Sequence, residues 1–209
     1  MILWQNKYSP FARKVLVLAH ELGVRERISL QDTDPHSDES LRSANPLCKI
    51  PTLILDDGRV LYDSRVICEY LLTQGDAARV AGPPDLEAWE ISRDHALGDG
   101  ICDAAVALRG EKLRPAAQPS DRYIARQNAA ILAGCDVLAA GVGLLGHRLD
   151  IGVIAIGCAL GYLDLRHPQI DWRRDRAALA EWHAVFSARR SMVLTSEAAR
   201  KRADDYRHE

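Results

Sequence analysis

The sequence predicts a small α/β domain followed by an all-α domain, and three observations predict it. The first 75 or so residues alternate between strand-like and helix-like periods, residues 75–84 read as a linker ending in Gly82-Pro83-Pro84, and everything beyond is helical in period. The domains are therefore expected at 1–76 and 85–209.

Residues 2–4 read as a short strand. Pro10 then opens a helix with Phe11, Val15, Leu18 and Leu22 on one face, and Gly23 stops it. Ile28 and Leu30 alternate with polar residues, the mark of a second strand, expected parallel to the first. A polar stretch, residues 31–40, leads to a short helix that ends before Asn45-Pro46. Residues 52–55 and 59–62 are strand-rich runs around Asp56-Asp57-Gly58, a hairpin signal. Asp63-Ser64 then caps a helix carrying Ile67, Tyr70 and Leu71. A β-α-β unit followed by a hairpin and a helix makes a mixed sheet covered by helices.

Past the linker, Leu86, Trp89, Leu97, Ile101, Ala104 and Leu108 recur at helical spacing to about Gly110, with Asp99 and Asp103 either facing a substrate cleft or, the reading preferred, part of a solvated face. Residues 114–119 break the pattern. Ser120 caps a further helix with Ile124, Ile131, Cys135 and Leu138 along one side, and two more helices follow at 151–163 and 177–188. Five or six helices are expected in this region. The apolar run 151–163 is too short to span a bilayer and reads as a buried core helix.

Composition narrows the function. A formal net charge of −2 on 209 residues gives no basic surface for nucleic acid or anionic membrane. The N-terminus has no apolar signal core, so a cytoplasmic protein is expected. Five scattered cysteines (48, 68, 102, 135 and 158) with no C-x-x-C pair read as reduced thiols, mostly buried, and the seven histidines lack metal-ligand spacing, so no metal is expected.

Three segments carry the chemistry. In Tyr8-Ser9-Pro10-Phe11, a hydroxyl stands at the positive end of a helix, where it either caps the helix or donates to an anion. In Asn45-Pro46-Leu47-Cys48-Lys49-Ile50-Pro51-Thr52, a proline directly before a strand marks either a plain turn or a cis bond that exposes the backbone of Ile50 to an added peptide strand. In Asp63-Ser64, the pair is either a cap or a site where Ser64 and the helix amides take a carboxylate while Asp63 takes an ammonium. One ligand bearing an ammonium, a carboxylate, a peptide group and a thiol fits all three segments, and glutathione is such a ligand.

The segments S-P-F-x-R-K-V, N-P-x-x-K-I-P-x-L and D-S-x-x-I-x-x-Y-L, in this order, resemble the glutathione S-transferase superfamily. Residues 109–118 (R-G-E-K-L-R-P-A-A-Q) and 154–166 (I-A-I-G-C-A-L-G-Y-L-D-L-R) look most like its bacterial YibF-type branch. The resemblance implies a thioredoxin-like N-terminal domain and an all-α C-terminal domain that contributes the second-substrate pocket. It implies that Ile50 pairs through its backbone with the cysteinyl unit, that Asp63 and Ser64 hold the γ-glutamyl end, that Lys49 approaches the glycyl carboxylate and that Pro51 is cis. Ser9 occupies the position near the thiol, where thiol-transferase branches carry Cys; Tyr8 is the other hydroxyl available there. Cys48 replaces the family's usual Gly. The segment His147-Arg148-Leu149-Asp150 keeps the family's capping Asp but lacks Ser or Thr three residues earlier.

The function implied is a homodimeric detoxification transferase that activates glutathione, as co-substrate, for attack on a small-molecule electrophile. Two alternatives stand beside it. One is a glutathione-dependent thiol-disulfide reductase, which requires a nucleophilic cysteine, and the other a non-enzymatic glutathione- or ligand-binding module.

Overall fold

The computed structural model describes residues 1–115, 119–146 and 148–198. The chain divides into two compact units, one comprising Met1–Ala81 and the chain from Arg189 onward, the other Gly82–Ala188. Gln118 and His147, both quoted in the sequence motifs, lie outside the described residues.

In the first unit, β1 (Ile2–Gln5), β2 (Ser29–Asp32), β3 (Thr52–Ile54) and β4 (Val60–Leu61) form a sheet in the order β2-β1-β3-β4. β2 runs parallel to β1, with Leu3 opposite Leu30. β3 runs antiparallel to β1 and β4 antiparallel to β3, as the hairpin signal requires. Gly58 takes a φ of +84° in the hairpin turn, a conformation that costs a side-chain-bearing residue but not glycine. Between β1 and β2 runs α1 (Pro10–Glu21), between β2 and β3 the short α2 (Glu39–Ala44), and after β4 comes α3 (Ser64–Leu72). α1 and α3 pack on each other, and the core is built from Leu3, Val15, Leu18, Leu53, Ile67 and Leu71, all fully buried.

The helical unit contains α4 (Ala88–Lys112), α5 (Asp121–Ala140), α6 (Val142–Leu145), α7 (Ile151–Arg166) and α8 (Ala177–Ser187). α7 is the apolar run of the sequence extended by one turn, and Val153, Ile154, Ile156, Leu160 and Leu163 are wholly buried. It packs chiefly on α4. Gly98 allows this: a Cβ there would lie 2.7 Å from backbone atoms of Ala155 and Ile156, closer than packed atoms approach. Among the described residues, no helix is long and apolar enough to cross a membrane.

α9 (Arg190–Leu194) groups with the first unit, and the helical unit spans Gly82–Ala188. Polar contacts explain it. Arg189 and Ser191 both donate to the Glu21 carboxylate, and Arg13 Nη2 donates to the Met192 carbonyl at 3.1 Å. Asp99 is not solvated; it is 5% exposed and pairs with His95 one turn earlier at 3.3 Å, while Asp103 is exposed. Trp89, placed by spacing on the packed stripe of α4, is 62% exposed, its ring lying under the Arg93 guanidinium. The five cysteines are free thiols, buried except for the half-buried Cys48, and burial pushes the Cys135 thiol up to about 11.

Candidate functional site

Strand register brings the three chemical segments to one end of the sheet. Trp4, near the C-terminal end of β1, lies opposite Thr52, the first residue of β3. Leu61, the last residue of β4, lies opposite Leu53. The chain therefore leaves β1 toward Ser9, enters β3 from Lys49-Ile50-Pro51, and leaves β4 toward Asp63-Ser64, all on the same edge. Strand ends of this kind, feeding helix N-termini, are where α/β domains bind ligands. A groove of about 720 Å³ in the helical unit, lined by Leu108, Ile124, Asn128 and Ile170 among others, contains none of these residues.

Ser9 is the N-cap of α1. Its Oγ accepts the Ala12 N–H at 3.2 Å and its own N–H donates to the Asn6 carbonyl at 2.9 Å. Capping uses a lone pair, so the hydroxyl proton stays available to an acceptor. The twelve-residue helix behind it adds the positive end of its dipole. Both readings of the Ser-Pro pair are thus compatible at one atom.

The loop before β3 is held from inside. Asn45, 1% exposed, accepts the Leu47 N–H at 3.0 Å and donates to the Lys49 carbonyl and the Thr52 hydroxyl, each at 3.0 Å. Cys48 adopts a φ of +48°, the left-handed region that favours glycine, so the backbone keeps a glycine-type conformation although the residue is Cys. The Ile50–Pro51 bond is cis. Proline cannot donate to the ladder, and neither the N–H nor the C=O of Ile50 has a hydrogen-bond partner among the described residues. Lys49 is exposed, its ammonium without a partner among the described residues.

Asp63 is the N-cap of the nine-residue α3, accepting the Arg65 N–H at 2.9 Å, and the Tyr62–Asp63 bond is cis. Ser64 follows, 3% exposed, with no hydrogen bond to its hydroxyl or its N–H among the described residues. A hydroxyl and an amide without partners at a helix N-terminus suit an anion, because both the amide and the dipole favour negative charge.

All six residues singled out from the sequence (Ser9, Lys49, Ile50, Pro51, Asp63 and Ser64) thus stand on loops or at a helix start on this edge, and no hydrogen bond joins any two of them among the described residues. They offer two hydroxyl donors, one free strand edge, one ammonium and one carboxylate. Asn45 and Thr52 are the members of the site that sequence reading missed. Their only signal is an Asn and a Thr bracketing the loop that carries Lys49-Ile50-Pro51.

Comparison with known proteins follows the same pattern. The family model for the glutathione S-transferase N-terminal domain matches residues 8–74. The uncharacterized GST-like protein YibF of Escherichia coli (strain K12) is 32% identical over 190 residues, covering 90% of this chain and 94% of its own. A crystal structure of a glutathione transferase family member from Pseudomonas fluorescens Pf-5, with bound glutathione, matches with a TM-score of 0.86 at 41% identity, over 93% of this chain and 98% of that one. A glutathione S-transferase from Methylobacterium radiotolerans JCM 2831, in complex with glutathione sulfonate, matches with a TM-score of 0.82 at 33% identity over 93% of each chain.

Proposed function

The chain belongs to the glutathione S-transferase superfamily, in its YibF-like branch, and on that premise we propose that it binds glutathione in its first unit and activates the thiol for attack on a small-molecule electrophile. Its fold is the thioredoxin-like plus all-α architecture of that superfamily. The observation that carries the proposal is the free backbone edge of Ile50 at the same end of the sheet as the unpartnered hydroxyl and N–H of Ser64.

In this reading the Ile50 N–H and C=O pair with the cysteinyl unit as an added strand. Ser64 Oγ and the amides of α3 take the γ-glutamyl carboxylate, Asp63 takes the neighbouring ammonium, and Lys49 takes the glycyl carboxylate. Pro51 removes a competing donor. Bound this way, glutathione lays its sulfur by Ser9. The Ser9 hydroxyl donates to the sulfur and the dipole of α1 favours its negative charge, so the thiol proton leaves to solvent at lower pH than its free value of about 8.5. The thiolate then forms a C–S bond at the electrophilic carbon, and the displaced electron pair leaves with the leaving group or is protonated.

The test is calorimetric titration with glutathione. Wild type should bind, and Ser64→Ala should weaken binding by roughly 1–3 kcal/mol through loss of a donor to a charged carboxylate. Absence of binding by wild type overturns the reading. The proposal extends to a cytoplasmic two-fold homodimer, C₂ being the commonest symmetry of soluble oligomers. Light scattering should give twice the 23.1 kDa chain mass, and a monomer mass at micromolar concentration removes this part.

A further inference from the structure

We propose that Asn45 is a positioning residue for glutathione, aiming the Ile50 N–H at the ligand by fixing the peptide group that carries it. The inference rests on the glutathione reading above.

Every polar atom of Asn45 is committed. Its N–H donates to the Leu41 carbonyl at 2.7 Å and its carbonyl accepts the Cys48 N–H at 2.9 Å, closing α2 and the turn beyond it. Its side-chain oxygen accepts Leu47 N–H, and its side-chain nitrogen donates to Lys49 O and to Thr52 Oγ1. Thr52, fully buried, donates its own hydroxyl to the same Lys49 oxygen at 2.8 Å. One carbonyl therefore receives two donors, and the second donor is itself held by Asn45.

That carbonyl shares a planar peptide unit with the Ile50 N–H. In a trans peptide the C=O and N–H point in opposite directions, and rotation about the C–N bond is blocked. Pinning Lys49 O toward Asn45 and Thr52 thus turns the Ile50 N–H away from the interior. There it has no partner among the described residues. A plain structural turn needs only the contacts that close the turn, those to Leu41, Leu47 and Cys48. The bonds to Lys49 O and Thr52 are additional, and they act on the peptide group whose Ile50 N–H has no partner among the described residues. Without them the loop would have to order on binding, which costs affinity.

The experiment compares Asn45→Ala, Thr52→Val and Thr52→Ser with wild type by glutathione calorimetry, steady-state kinetics and ¹⁵N relaxation of the free protein. Asn45→Ala should raise the Kd and the KM for glutathione about ten- to a hundredfold, the scale of losses when a binding group is misplaced by about 1 Å, and raise KM far more than it lowers kcat. Thr52→Val, which keeps the Asn45 contacts to Leu41, Leu47 and Cys48, should lose several-fold, and Thr52→Ser, which restores the hydroxyl, should recover most of that loss. In the free protein the Ile50 amide order parameter should fall from the rigid value of about 0.85 toward 0.6 in Asn45→Ala. A purely structural Asn45 would lower the melting temperature yet leave Kd and the Ile50 amide as in wild type, and that result overturns the proposal. If Asn45→Ala does not fold, an unchanged Kd and Ile50 amide in Thr52→Val overturns it. If wild type does not bind glutathione, the functional reading fails by itself, and an Ile50 amide in Asn45→Ala as rigid as in wild type sinks the positioning role separately.

Discussion

Asp150 and Arg148 form an ion pair inside the helical unit, Oδ2 to Nε at 2.9 Å, with the carboxylate wholly shielded from solvent. The other oxygen of Asp150 accepts the Val153 N–H at 3.1 Å, so one carboxylate caps α7 and neutralises the guanidinium that precedes it. Arg148 also reaches Asp94 at 3.0 Å. The sequence lacks the Ser or Thr that would complete a conventional capping pair, and Arg148 supplies the polar contact to the cap instead.

Asp150→Ala should therefore cost about 3 kcal/mol, more than a lost cap alone, because it also strips a buried cation of one of its two carboxylates. Urea unfolding measures it. Glutathione affinity of the folded protein should be unchanged; a collapse of affinity with unchanged stability would move Asp150 into the binding machinery.

Glu21 gives the fold an acid-sensitive joint. Burial by itself pushes its carboxyl up, but the donors of Arg189 and Ser191 outweigh that and hold it below its ordinary value of 4.5. A carboxyl depressed in the folded state contributes stability that is full above the unfolded value and is lost as pH falls through the folded one. Glu21→Gln should thus lose about 1 kcal/mol at pH 7, and the gap from wild type should close as pH falls below about 4.5. A gap independent of pH would show that the carboxylate charge contributes nothing.

At Cys48 the left-handed φ of +48° penalises any residue with a Cβ. Cys48→Gly should raise stability by about 0.5–1 kcal/mol, the steric relief being partly offset by the freer unfolded chain. An increase in the urea midpoint at constant slope checks it. A decrease would mean that the half-buried thiol packs better than it strains.

Ser9 rather than Tyr8 should set the thiol pKa of bound glutathione, because Ser9 stands at the entrance of α1 with a free hydroxyl proton. Ser9→Ala should raise the midpoint of thiolate absorbance by about one unit and lower kcat at neutral pH, while Tyr8→Phe should do little. The reverse pattern would reassign the role. Because Ser9→Ala also removes a cap worth about 1 kcal/mol, the titration belongs well below the melting temperature.

Much of the first unit was legible because its elements are short and sharply punctuated: Pro10 opens α1, Gly23 closes it, and Asp-Asp-Gly fixes the hairpin. The site segments were legible for the same reason, since prolines and a capping Asp-Ser pair sit where the chain turns. The support beneath them was not. Asn45 and Thr52 reveal their role only through hydrogen bonds that close in three dimensions. In α4 the spacing rule misplaced Trp89 and Asp99, because a buried His95–Asp99 pair and a solvent-facing indole both break the apolar stripe on which the rule depends. α9 escaped because five residues are too few to display a helical period.

The return of α9 to α1 also sets an order of events during synthesis. The first unit lacks Arg189 and Ser191 until the whole helical unit has been made, so Glu21 emerges from the ribosome long before its partners do. At roughly 5–20 residues per second, the interval between completion of the sheet and arrival of α9 is on the order of 5–25 s. The first unit must wait through that interval without α9 on α1, and it closes only once α9 has been made.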